Sequence, residues 1–409
     1  MNWQLARYFF GTALATFADR LTQLQLLSAV VMSGPDGQGL GSNTLSLLMP
    51  FVLFSYGLGA QADSRDSRKL LLVATAARGL LVLSVPTIFT SFGATGSLVP
   101  ISIFAISIGI VIGTLSEVTL LPRLVLTFSD LRKANAISLL VATASTLAAV
   151  TVAPFLTEMW LPHETLRLSA IFYFLAMFCF WTIPRQTIET QPRHSNDTEE
   201  LANLIKAKKG SISLFRMLFL TQVAHSFFYC LLLVFCLQNT QFNNGQASNM
   251  FTNIALGLMS GSIASLTFLK RYRPGSMIGL GTLLSALACL VFIIAGNTGA
   301  ALKMFLLTMG TASGITLVSI QLLLEKKFNR HVRGKIYGAI LALSTAIFVL
   351  SAVTVEQLTV QYSVFTIVKI LAASWLIYTS VIAASSNGLK SRWRKRRLRQ
   401  KSKLSSKTA

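Results

Sequence analysis

The stretch FSYGLGAQADSRDSRK, Phe54 to Lys69, sits between two apolar runs and decides how the chain folds. An apolar helix ends there in glycines and small residues, and Asp63 opens a short polar turn that closes on Arg68 and Lys69. Gly57 and Gly59 lack a Cβ, so a neighbouring helix backbone can approach closely at that end. An acid on one side of a tight turn and a basic pair on the other would clamp two adjacent helices at a membrane surface. The plainer alternative is a positively charged loop of the kind any membrane protein carries.

Working outward, apolar runs of this kind recur along all 409 residues, 53% of them hydrophobic and only 12% charged. That pattern predicts an all-α polytopic membrane protein. A net charge of +22 would suit nucleic acid, but the cations fall between apolar runs and not on one soluble face, so nucleic acid is excluded as a partner. Cys179, Cys230, Cys236 and Cys289 all lie inside apolar runs, without metal-ligand spacing or a disulfide framework, and read as small buried hydrophobes. The first apolar run carries Asp19 and Arg20 and continues past Met32, so it is expected to stay as a helix and not be cleaved as a signal.

Twelve spans are predicted, near residues 4–32, 45–62, 70–91, 98–121, 134–157 and 165–184, then 214–238, 247–269, 275–296, 300–324, 335–356 and 363–386. A polar connection at 185–213 separates six spans from six. The expected organisation is therefore an N-terminal six-helix bundle over 1–184, a linker at 185–213, a second bundle over 214–389 and a basic tail over 390–409. The loops after even-numbered spans hold nineteen Lys or Arg, and those after odd-numbered spans hold none. By the positive-inside rule both termini are expected on the cytoplasmic side. The tail carries ten cations between Lys390 and Lys407. Its plain role is attraction to anionic lipid head groups.

Charges inside the spans are where function is expected. Asp19 lies midway along the first span and Glu117 in the fourth, with Arg78 in the third, His225 in the seventh and Lys369 in the twelfth. Each acid either lines a cavity, pairing with a cation, a head group or a proton, or forms a structural ion pair between helices. Arg20 follows Asp19 directly, about 100° around a helix, so the two are not expected to pair. Arg78 is close enough to Lys69 to snorkel to the surface, and His225 among Ser226 and aromatics reads either as a protonatable site or as a packed histidine. No nucleotide-cradling loop, metal cluster or catalytic constellation is present in the sequence, so no enzyme activity and no cofactor are expected. Six spans followed by six suggest an internal repeat, the usual basis of alternating access. A weak echo is LRKANA from Leu131 against VRGKIY from Val332.

The turn at Asp63 resembles the loop between the second and third helices of the major facilitator superfamily, G-x-x-x-D-R-x-G-R-K, with Ser64 in place of the arginine and the basic pair one residue late. That resemblance implies two six-helix bundles working by alternating access, with Gly59, Asp63, Arg68 and Lys69 as a gating loop. Four stretches are further similar to the bacterial lysophospholipid transporter branch. They are ATFAD ending at Asp19, FVLFSYGLGAQADS from Phe51, LLPRLV from Leu120 with LRKANAIS from Leu131, and QLLLEKK from Gln321 with Gly334-Lys335. The branch implies a lysophospholipid or similar amphiphile as substrate, the bacterial inner membrane as location, a cytoplasmic acyltransferase as partner, and action as a monomer. Its acid in the first span carries over to Asp19. Its cation in the fourth span is Glu117 here, and its cation in the seventh falls near Tyr229 or Cys230. Two alternatives stay open on the residues: a proton-coupled exporter of small hydrophobic or cationic compounds using Asp19 and Glu117, and a non-transporting scaffold or sensor on the same fold.

Overall fold

The computed structural model describes residues 3–33, 40–92, 98–125, 128–184, 219–230 apart from 220 and 224, 244–267, 272, 274–295, 299–328, and 332–377 apart from 364, 365, 368, 371 and 372. The predicted linker at 185–213 and tail at 390–409 lie outside the described residues.

Among the described residues the chain is helical, without strands. Its helices are α1 (Trp3–Ser33), α2 (Leu40–Ser64), α3 (Ser67–Phe92), α4 (Leu98–Leu124), α5 (Phe128–Met159) and α6 (Pro162–Trp181). Then come α7 (helical residues between 221 and 230), α8 (Asn244–Leu266), α9 (Pro274–Ala295), α10 (Gly299–Lys327), α11 (Arg333–Gln361) and α12 (helical residues between 366 and 377). Eight of them are long and apolar enough to cross a membrane. At about 1.5 Å per residue, each such helix reaches through a hydrocarbon core of about 30 Å while satisfying its own backbone hydrogen bonds.

In the first half, α1 packs against α5 and α6, α3 against α4 and α6, and α2 against α4. The two largest apolar clusters of this half lie in its interior. One gathers Ala18, Val82, Ile106, Leu166 and Ala170, and the other Tyr8, Leu71, Leu120, Ala176 and Phe180. In the second half α10 packs against α8 and α9. A Cβ on Gly257 or Gly261 of α8 would collide with the α10 backbone around Gly310 and Thr311, so the four-residue glycine spacing sets how close these two helices come.

The halves meet along two seams, α2 against α11 and α5 against α8. The first is closest at the end of the bundle where the interhelical cations lie. There Gly59 abuts Gly334 and Ser55 abuts Gly338, so tightly that a Cβ on any of the three glycines would strike the opposing backbone. Helix α2 extends through Ser64, so Asp63 stands in its last turn and does not open the loop as expected; the connection to α3 is only Arg65 and Asp66.

Candidate functional site

Three helices converge on the carboxylate of Asp19. Arg78 of α3 donates from Nη1 to both Asp19 oxygens at 2.7 Å, and the Tyr173 hydroxyl of α6 donates to Oδ1 at 2.6 Å. Arg78 is 1% exposed, the largest fully buried side chain described. Its remaining donors reach the Thr75 hydroxyl from Nη2 at 3.1 Å and the Ala74 carbonyl from Nε at 3.2 Å. The guanidinium also lies 5.2 Å from the centre of the Tyr173 ring. Snorkelling, the expectation for Arg78, does not occur: the side chain turns inward because a carboxylate in an apolar bundle holds a cation more strongly than distant water does.

The sequence makes room for that arginine. On α4, a Cβ at Gly109 would lie 2.6 Å from Arg78 Cγ, and one at Gly113 would lie 2.8 Å from Nη2. Both glycines form the slot through which Arg78 crosses to α1. One turn further along α4, Glu117 is half-buried, within electrostatic reach of Arg78 and Asp19. Arg78 pairs with Asp19, and among the described residues no cation lies in contact with the Glu117 carboxylate.

Asp63 does different work. Its two oxygens accept hydrogen bonds from the main-chain N–H groups of Gly334 at 2.7 Å and Lys335 at 2.9 Å. These are among the first amides of α11, which have no acceptor inside their own helix. A carboxylate from one half therefore caps a helix of the other, favoured also by the partial positive charge at a helix start. Arg68 is directed elsewhere, donating to the carbonyls of Phe180 and Trp181 where α6 ends, and Lys69 is exposed. The expected clamp between the acid and the basic pair is thus replaced by two separate caps. A second contact between halves lies nearby, where Asn135 Nδ2 of α5 donates to Glu325 Oε2 of α10 at 2.8 Å. Arg333 Nη2 holds the Glu325 carbonyl at 2.9 Å.

No described contact brings the other predicted residues to Asp19. His225 is buried in the second half, its Nδ1–H donating to the Thr221 carbonyl at 2.8 Å and its ring set edge-on to Trp375 at 6.2 Å. Its Nε2 is buried without a hydrogen-bond partner. Lys369 is exposed on α12. Tyr173 was not singled out from the sequence, and Arg20 was noted beside Asp19 but not counted among the candidate site residues. A lone hydroxyl in the apolar run IFYFLAMF is the available signal for Tyr173. Arg20 lies exposed midway along α1, Nη1 donating to Gln23 Oε1 at 2.9 Å, and its visible sign is adjacency to an inward-facing acid.

The major facilitator superfamily model matches residues 4–353, and the chain belongs to that superfamily. A comparison with curated protein sequences gave no match. Among solved structures it is similar to the human organic anion transporter MFSD10 (TETRAN), at 16% identity and a TM-score of 0.72, over 93% of this chain and 99% of that one. It is also similar to a bacterial homologue of the iron transporter ferroportin in the outward-facing state, at 15% identity and 0.73, over 93% and 98%. A third is a variant of the E. coli fucose:proton symporter FucP, at 12% identity and 0.70, over 92% and 97%. Likeness at these identities describes the fold, that of a multi-pass helical membrane protein.

Proposed function

We propose that this chain is a secondary transporter of the bacterial inner membrane that moves a lysophospholipid or a similar amphiphile by alternating access. The observation that carries this reading is the contrast between seam and interior. The halves are joined at one end by a carboxylate on two amides, while α1 leaves Arg20 exposed at mid-depth. A contact made of a few hydrogen bonds can open without dismantling either bundle, which is what alternation requires. The distribution of cations along the sequence supports cytoplasmic termini. A cytoplasmic acyltransferase would take the delivered lipid, and the chain would act as a monomer.

Uptake of labelled lysophosphatidylethanolamine into proteoliposomes, with and without an imposed proton gradient, tests the proposal. Uptake by the wild type that is lost in Asp63→Arg supports it; absence of lipid movement in the wild type refutes the substrate. A second reading, a proton-coupled exporter of small hydrophobic or cationic compounds, is favoured by Glu117, an acid inside a span without a contacting cation among the described residues. Gradient-driven movement of a cationic dye that fails in Glu117→Gln would select it.

A further inference from the structure

We propose that Arg20 receives the anionic group of the transported molecule in the space between the two halves. The proposal rests on the transporter reading above and narrows it to phosphate-bearing or otherwise anionic amphiphiles.

Arg20 lies seventeen residues from Trp3 and thirteen from Ser33, about 25 Å and about 20 Å along the axis at 1.5 Å per residue. It is too far from either end for the side chain to reach a membrane surface. Ala18 faces α6 in the cluster with Leu166 and Ala170. Arg20 is about 200° further round the helix, on nearly the opposite side. Leu21, with Phe17 and Leu24, packs on Ala149 and Ala153 of α5 along one flank. Asp19 and Tyr8 meet α3 and α4 along the other. The uncovered face therefore lies opposite α6, between the contacts with α5 on one flank and those with α3 and α4 on the other, and α5 carries one of the seams to the second half. With the second half joined to the first through α5 and α2, we place this face toward that half, an orientation that suits a cation that lipid tails would not accept.

Asp19 next to it is already neutralised by Arg78 and Tyr173, and no described carboxylate lies within ion-pair distance of Arg20. Its hydrogen bond to Gln23 occupies Nη1, and a guanidinium offers five N–H donors in a planar fork that matches phosphate. Thr16 and Ala13, one and two turns toward Trp3 on the same face, are small and leave room beside it. The Gln23 amide can add a donor from one turn further on.

The test uses the purified full-length protein and reads thermal stability by tryptophan fluorescence during titration with dodecyl phosphate, inorganic phosphate and dodecyltrimethylammonium. Wild type, Arg20→Gln and Arg20→Lys run in parallel, with lysophosphatidylethanolamine uptake in proteoliposomes beside them. Stabilisation by dodecyl phosphate should weaken about tenfold in Arg20→Gln, the order lost with a charge-assisted hydrogen bond, and recover in part in Arg20→Lys. The unliganded melting temperature should not change, because the side chain is uncovered. Equal binding by wild type and Arg20→Gln, or no binding of any phosphate by the wild type, overturns the proposal, and lipid uptake then judges the transporter reading alone. Arg20-dependent binding of inorganic or dodecyl phosphate without lipid uptake keeps the anion site and removes the lipid as substrate.

Discussion

Asp19 and Asp63 are both carboxylates set in largely apolar helices, and the protein uses them in opposite ways. Asp19 is tied within one half, to a guanidinium and a phenol from α3 and α6. Asp63 is tied across halves, to two main-chain amides at the start of α11. A buried charge paired with an opposite charge is expensive to separate, because either partner alone is left uncompensated. A carboxylate on backbone amides at a membrane surface exchanges them for water at modest cost. The first arrangement ties helices within one bundle; the second joins two bundles through hydrogen bonds alone.

The contrast predicts a graded series of effects. Arg78→Leu should be the most damaging, costing about 3–5 kcal/mol by stranding Asp19, seen as a large drop in melting temperature in detergent. Adding Asp19→Asn to it should restore part of that stability; a double variant no better than the single would show that Asp19 is not held by Arg78. Gly113→Val should come next, destabilising by about 1–3 kcal/mol as the new methyls enter the slot occupied by Arg78.

Changes at the seam should move conformation more than stability. Asp63→Ala removes the acceptor of both α11 amides, and about 1.5–3 kcal/mol of charge-assisted bonding should shift the halves apart. In a cysteine-free background carrying Ser55→Cys, thiol labelling from the basic end should then rise roughly ten- to hundredfold, with melting temperature little changed. Unchanged labelling would show that the seam is held by the glycine contacts alone. Asn135→Ala should act the same way but more weakly, by about 1 kcal/mol, since one hydrogen bond to Glu325 is lost.

Much of the architecture was legible from residue order. The spans expected near 4–32 and 98–121 correspond to α1 and α4 within a few residues, because a run of apolar side chains long enough to cross a bilayer has few other stable states. Glycines at 57 and 59 pointed to a close helix approach, and Gly59 makes one, whereas Gly57 faces open space. The candidate site was legible only in its members. Asp19, Arg78 and Glu117 stood out as charges inside spans, but the partnership of the first two did not, and neither did Tyr173.

What the sequence determined by itself is the set of helices, their alternation of polar and basic connections, and the rarity of charge within them. These follow from the cost of placing each residue in hydrocarbon, a property read one segment at a time. Tertiary structure alone decided which groups meet: Asp19 with residues 59 and 154 positions away, and Asp63 with an amide 271 positions away. It also decided that Arg20, one residue beyond Asp19, stands on the uncovered side of α1. A carboxylate's partner depends on which helix faces pack together, and that packing minimises free energy over the whole bundle, with no signal left in local spacing.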